Sequence, residues 1–87
     1  MAYKIEIARA AAKIFEELPR HTKMLIQKKI DALATNPRPS GCEKLSGEEG
    51  LYRIRSGDYR VIYQIEDRVL YILVVKIGHR REVYRKG

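Results

Sequence analysis

The sequence has 87 residues, one cysteine and a formal net charge of +7 at neutral pH. A chain this short forms one domain, here residues 1–87, and buries only about 60–65% of its extended surface. It has no run of 18 apolar residues and no signal-peptide pattern, so we expect a soluble cytoplasmic protein without a membrane partner. Because Cys42 is alone and no Cys/His spacing suits a metal, we expect no internal disulfide, metal or other cofactor.

The N-terminal part predicts one strand and two helices. Apolar and polar residues alternate over Ala2–Ile7, as in a strand, and Ala8–Leu18 then changes to helical spacing. Pro19 ends this helix, because the residue before a proline is pushed out of the α region, and Arg20–Thr35 predicts a second helix. The predicted buried positions of the two helices are Ala11, Ile14, Phe15, Leu18, Leu25, Ile26, Ile30, Leu33 and Ala34.

Residues 36–50 contain two prolines and three glycines and predict a loop that is long for so small a domain. Lys44-Leu45 can add a short edge strand within it. The loop's glutamates, Glu43, Glu48 and Glu49, can pair with nearby arginines or face water, and we favour exposure to water.

Two alternating runs flank Gly57-Asp58 and predict a β-hairpin with a two-residue type II′ turn. This register places Arg55 opposite Arg60, and Arg53 opposite Ile62. Because side chains alternate between the faces of a strand, one face is predicted to join the core and the other to carry the arginines. The predicted core face holds Tyr52, Ile54, Tyr59, Val61, Tyr63 and Ile65.

The arginine face has one sign of charge, and like charges opposite each other on a sheet are destabilising by up to roughly 1 kcal/mol. Arg53, Arg55 and Arg60 can simply form a solvated basic face, but we favour anion binding. Charge is also uneven along the chain, at +2 for residues 1–50 and +5 for residues 51–87. A basic domain with clustered arginines favours nucleic acid or another polyanion as its partner.

The C-terminal part predicts a central strand followed by a basic segment. A turn at residues 66–68 precedes Val69–Val75, an unbroken apolar run that is typical of a strand covered on both faces. Two helices cover one face well, so the loop, the tail or a partner must shelter the other. Gly78 ends the strand, and residues 79–85 hold three arginines, a histidine and a tyrosine.

Together the elements predict an α+β domain of two layers. The sheet is expected to be mainly antiparallel, with the two N-terminal helices packed on one face. The predicted order is β-α-α-β-β-β, with room for an extra short strand near Lys44.

Three segments together resemble the RelE branch of the RelE/ParE toxin superfamily: Tyr52–Arg55, Gly57–Tyr63 and Val75–Arg85. The resemblance covers essentially the whole chain. It implies the toxin of a type II toxin–antitoxin pair, which enters the ribosomal A site and cuts mRNA without a metal. The implied partners are the ribosome with its mRNA and a RelB-like antitoxin, in a complex expected to be a heterotetramer or larger.

The resemblance also implies which residues act. Arg60 matches the family's hairpin arginine, Arg80 the arginine after the glycine, and Tyr84 its functional tyrosine, whereas Arg53 and Arg55 stand at lysine positions. Arginine keeps the charge but does not give up its proton, which favours charge stabilisation over proton transfer there. The expected catalytic residues are Arg55, Arg60, Arg80, Tyr84 and His79, and the expected substrate-binding residues are Arg53, Arg81, Lys44 and Arg85.

The implied reaction is attack of the 2′-hydroxyl on the adjacent phosphorus. Arg55 and Arg60 would stabilise the developing charge, and Tyr84 would act as the base if the cations of Arg80 and Arg81 lower its ordinary pKa of about 10. His79 or Arg80 would serve the leaving oxygen. Without the resemblance, Tyr84 reads as a tail tyrosine packed over the sheet and His79 as a strand-end residue in water.

Two other classes of function stay open. A ParE-type relative would share the fold and inhibit DNA gyrase without cutting RNA, although such relatives generally lack these arginines. A plain RNA-binding module would need exposed aromatic residues for base stacking, and the hairpin tyrosines fall on the predicted core face.

Overall fold

A computed structural model describes residues 2–45, 47 and 50–79. Their order of elements confirms the predicted strand, two helices and C-terminal strands, and it includes the short strand beside Lys44. The elements are β1 (Lys4–Ile7), α1 (Arg9–Glu16), α2 (Arg20–Leu33), β2 (Glu43–Lys44), β3 (Leu51–Ser56), β4 (Tyr59–Glu66) and β5 (Tyr71–His79).

The five strands form one sheet in the order β1-β5-β4-β3-β2. β1 pairs with β5 in parallel, and every other neighbouring pair is antiparallel. Helix α1 packs against β5 and α2 against β3, so the core lies between the helices and one face of the sheet. The predicted α+β fold with a mainly antiparallel sheet is confirmed.

The helices bury narrower stripes than the sequence predicts. Ala11 and Phe15 are the buried residues of α1, and Ile26, Ile30 and Leu33 are those of α2, at the spacing of one helix face. The predicted burial of Leu25 and Ile14 is wrong, since both side chains are exposed on the flanks of these stripes. Neither helix among the described residues is long and apolar enough to cross a membrane.

The β3–β4 hairpin has the predicted register in every pair, from Ser56 opposite Tyr59 to Tyr52 opposite Tyr63. Gly57 has φ +62°, whereas Asp58 is not among the residues with positive φ. This combination fits the type II′ turn, whose first central position favours glycine. Ile54, Val61, Tyr63 and Ile65 are buried and Tyr52 and Tyr59 pack against them, as predicted for the core face.

The last strand begins later than the apolar run suggests. Val69 ends a 3-10 helix (Asp67–Val69) and is exposed, and Leu70 has a left-handed φ of 51°, so β5 starts at Tyr71. Including Val69 in the buried strand is therefore wrong, because the turn that reverses the chain uses both residues. A β-bulge at Val75 then shifts the register, since Ile62 pairs with Lys76 and Tyr63 with Val74.

Candidate nucleic-acid interface

Three arginines lie together on the face of the β3–β4 hairpin that points away from the helices. Arg55 pairs directly with Arg60, and Arg53 pairs with Ile62. Val61 and Ile54, their neighbours on the strands, point the other way into the core. We call the set Arg53, Arg55 and Arg60 the arginine face, and its predicted grouping is what the structure shows.

The arginines of this face differ in exposure. The Arg55 side chain is 58% exposed and that of Arg53 only 13%, while Arg60 is buried at 8%. Burial, together with the positive charges of Arg55 and Arg60, lowers the pKa of Arg53 from its ordinary value. The direction of this shift reflects the burial of Arg53 and the repulsion from its two neighbouring cations, and a bound anion would reduce that repulsion.

Arg60 retains unused hydrogen-bonding capacity. Its Nη1 donates to the backbone oxygen of Tyr59 at 3.3 Å, but its buried Nε has no acceptor among the described residues. A buried donor without an acceptor is costly, so such groups usually indicate a structural or functional role. A phosphate oxygen is a chemically suitable acceptor for a guanidinium.

Glu43 reaches onto the arginine face from β2. It lies opposite Arg53 in the sheet register, and its Oε1 forms an ion pair with Nη2 of Arg53. Its Oε2 lies 4.0 Å from Nη2 of Arg55. The preference for Glu43 facing only water is therefore wrong, because the antiparallel pairing of β2 and β3 brings opposite charges directly across from each other. Glu48 and Glu49 lie outside the described residues.

The structure does not bring Lys44 and His79 onto the arginine face. Lys44 pairs with Tyr52, and His79 pairs with Tyr59, and cross-strand partners share a face of the sheet. The ring of His79 meets that of Tyr59 edge to face, with 5.6 Å between the ring centroids. Both predicted site residues thus belong to the tyrosine side of the hairpin.

A polar cluster outside the predicted site holds the 36–42 loop to the sheet. Arg38 donates to Asp67 from Nη2 at 2.8 Å and to the Tyr52 hydroxyl from Nε at 3.1 Å, and its guanidinium lies 5.0 Å from the centre of the Tyr52 ring. The Tyr3 hydroxyl donates to the same Asp67 at 2.6 Å. The loop's position decides where β2 and Glu43 meet β3. The sequence analysis did not identify Arg38 as part of a polar cluster. Only the alternation of charged residues along the chain could have indicated it, and that signal is weak.

Comparisons with known proteins agree with this architecture. The family model of the ParE toxin of type II toxin–antitoxin systems, parDE, matches residues 5–84. The mRNA interferase toxin RelE of Escherichia coli K12 is 32% identical over 91 residues, which cover 100% of this chain and 95% of that protein. The chain belongs to the RelE/ParE toxin family.

A solved complex and a further sequence relative are also similar to this chain. The archaeal RelE–RelB complex from Pyrococcus horikoshii has a chain with a TM-score of 0.82 and 32% identity, covering 92% of this chain and 97% of that one. Toxin RelE of Mycobacterium tuberculosis is 31% identical over 84 residues, covering 95% of this chain and 87% of that protein. The family resemblance seen in the sequence is thereby confirmed.

The remaining RelE-type site residues fall at the C-terminus. Arg80, Arg81, Tyr84 and Arg85 lie outside the described residues. Their expected roles stay predictions that rest on the family resemblance. Of the site residues that the structure describes, it brings together Arg53, Arg55 and Arg60, and it adds Glu43.

Proposed function

We propose that this chain is the toxin of a type II toxin–antitoxin pair and cuts mRNA in the ribosomal A site. The observation that carries the proposal is the arginine face, where Arg53, Arg55 and Arg60 concentrate positive charge on one side of a hairpin. The 32% identity to a protein named mRNA interferase toxin supports it over nearly the full length of both chains.

The proposed reaction is an intramolecular phosphoryl transfer. The 2′-oxygen of the substrate bonds to the adjacent phosphorus while the bond from phosphorus to the 5′-oxygen breaks. Products are a 2′,3′-cyclic phosphate and a 5′-hydroxyl. The 2′-hydroxyl proton passes to a base, for which we propose Tyr84, and the departing 5′-oxygen needs a proton or a compensating positive charge.

Arg55 and Arg60 would stabilise the charge that grows on the phosphate oxygens. Such stabilisation is strongest from groups that are already fixed and partly desolvated, as Arg60 is. Arg53 would position the backbone, with Arg81 and Arg85 binding flanking phosphates. Because His79 lies on the Tyr59 side of the hairpin, Arg80 is the better candidate for the leaving oxygen.

The proposed partners follow from the relatives. Solved structures similar to this chain include RelE–RelB complexes from Pyrococcus horikoshii and Escherichia coli. We propose a RelB-like antitoxin for this chain, in a heterotetramer or larger assembly. The proposed site of action is the ribosome. The acid and base groups proposed for this chain are weak at neutral pH, so the ribosome would have to hold the mRNA in the geometry that the reaction needs.

The test is in vitro translation of a defined mRNA with added protein, followed by primer extension to map new 5′ ends. Wild type should cut the mRNA inside codons, and only when ribosomes are present. Arg60→Ala should slow cutting by about 10²–10³-fold, since it removes a fixed charge donor. Tyr84→Phe should abolish cutting, and Arg68→Ala, an exposed arginine on the turn after β4, is the matched control.

The ParE description of the matching family model favours one second candidate, inhibition of DNA gyrase. A supercoiling assay with the same preparations separates the two. Intact mRNA in the translation assay together with loss of supercoiling activity would replace the RNA-cleavage proposal by the gyrase one.

A further inference from the structure

The Glu43 carboxylate occupies a place between two guanidinium groups. One oxygen contacts Arg53, and the other lies 4.0 Å from Arg55. A carboxylate shared between two arginines makes the same kind of contacts that a phosphate makes in an arginine site. The chain therefore places an acidic side chain of its own where the proposed function requires a substrate phosphate.

The local structure suits a carboxylate that leaves this place. Glu43 belongs to a strand of two residues, and its side chain is 50% exposed. Because the carboxylate is half exposed, water can solvate it when it leaves, and the arriving phosphate takes over its contact with the mostly buried Arg53. The Arg53 side chain, in contrast, is only 13% exposed and belongs to the six-residue strand β3.

We propose that Glu43 is a built-in competitor of the substrate: an RNA backbone phosphate binds Arg53 and Arg55 by displacing the Glu43 carboxylate. This inference rests on the proposed function and names the part of the site where a phosphate binds. In the free protein Glu43 screens the repulsion among the arginines. When RNA binds, the same negative charge opposes the phosphate and weakens affinity.

The competitor role and a positioning role have opposite signs. If Glu43 competes, then removing its charge tightens binding, because the phosphate no longer exchanges with a carboxylate. If Glu43 instead holds Arg53 in its productive orientation, removing its charge weakens binding. Glu43→Gln distinguishes the two cases, because glutamine keeps the shape of the side chain and removes the negative charge, with an NH2 group in place of one carboxylate oxygen.

The experiment measures binding of the full-length protein to a fluorescent single-stranded RNA with 2′-O-methyl groups, which cannot be cut. Glu43→Gln is compared with wild type and with Glu17→Gln, an exposed glutamate after α1 on the helical side of the sheet. Both variants raise the net charge by the same amount. We expect Glu43→Gln to bind about three- to tenfold more tightly and Glu17→Gln to stay near wild type.

The salt dependence gives a second readout. A phosphate that contacts the arginines without exchanging for Glu43 adds counterion release, so the slope of log affinity against log salt should steepen by up to about 0.7 for Glu43→Gln. Binding of Glu43→Gln that equals Glu17→Gln, or is weaker than wild type, overturns the proposal. Thermal melts of both variants identify a loss of folding, and in that case Glu43→Asp, which retracts the charge by one methylene, takes the place of the glutamine variant.

This test is independent of cleavage. If wild type makes no ribosome-dependent cuts, the proposed function fails while the binding comparison still reports on Glu43. If wild type cuts mRNA and Glu43→Gln binds no more tightly than Glu17→Gln, only the competitor role fails.

Discussion

Single residues on this hairpin combine burial with polar chemistry. Arg60 is buried with its charge, and Tyr63 is fully buried, with its hydroxyl donating to the backbone oxygen of Pro37 at 2.7 Å. Burial raises the pKa of the Tyr63 phenol, so this donor keeps its proton throughout the ordinary pH range. A single phenol thereby ties the core of β4 to the start of the 36–42 loop.

Tyr63→Phe should lower the free energy of unfolding by about 1 kcal/mol, because it removes a hydrogen bond from a place that water reaches poorly. Urea denaturation with an unchanged m-value is the measurement. Tyr71→Phe is the matched control, since it removes a hydroxyl that donates to the exposed Glu6 at 2.9 Å. An equal loss in both variants would contradict the role given to burial.

At the level of elements, the cluster around Asp67 joins parts of the chain that are far apart in sequence. Asp67 sits in the turn between β4 and β5 and receives hydrogen bonds from Arg38 of the loop and Tyr3 before β1. The hydrogen bond from Arg38, followed by that from Tyr3, lowers the pKa of Asp67. The same contact with Asp67 raises the pKa of Tyr3.

This shift gives the cluster a pH dependence of known sign. Because the pKa of Asp67 is lower in the folded chain, its contribution to stability is present above the unfolded-state value of about 4 and is lost as pH falls through the folded-state value. Asp67→Asn should therefore melt at a lower temperature than wild type near neutrality, and the difference should shrink below about pH 4.

Thermal melts of wild type, Asp67→Asn, Arg38→Gln and the double variant over this pH range test the prediction. The double variant should lose less than the sum of the single ones, since both remove one shared contact. A melting difference that stays the same from neutral pH to about pH 3 would mean that the Asp67 charge does not stabilise the fold.

For the molecule as a whole, stability depends on one small core between two helices and a sheet. β5 lies between β1 and β4 and contributes Ile72, Val74 and Ile77 to this core, all three of them buried. The spacing from Ile72 to Val74 is two residues and that to Ile77 is three. Only the bulge at Val75 lets all three point to the same side.

Ile72→Ala should lower the free energy of unfolding by about 2–5 kcal/mol, because the site is completely buried and the cavity cannot collapse easily. In a domain of this size the melting temperature should fall by more than about 10 °C. Val69→Ala, in the same apolar run but exposed, should stay within about 0.5 kcal/mol of wild type. Comparable losses at the two positions would show that the core does not depend on β5 in this way.

Much of the site could be predicted from the sequence because its signals are local. Alternation along Leu51–Ser56 and Tyr59–Glu66, with Gly57-Asp58 between them, determines the hairpin register and hence which side the three arginines share. A two-residue turn leaves almost no freedom in the pairing of its strands. The order of strands and helices likewise follows from periodicity and from Pro19, and the family segments lie in this same part of the chain.

Pairings between distant segments were decided only by the tertiary structure. The sequence by itself determined the arginine face. The fold decided that Glu43 reaches this face and that Lys44 and His79 lie on the opposite face of the sheet. The parallel pairing of β1 with β5 and the bulge at Val75 were likewise decided by the tertiary structure. Each depends on a register between segments that no two-residue turn connects, and a shift of one residue would turn every side chain to the opposite face. Packing of the whole core selects that register, so no local pattern contains it.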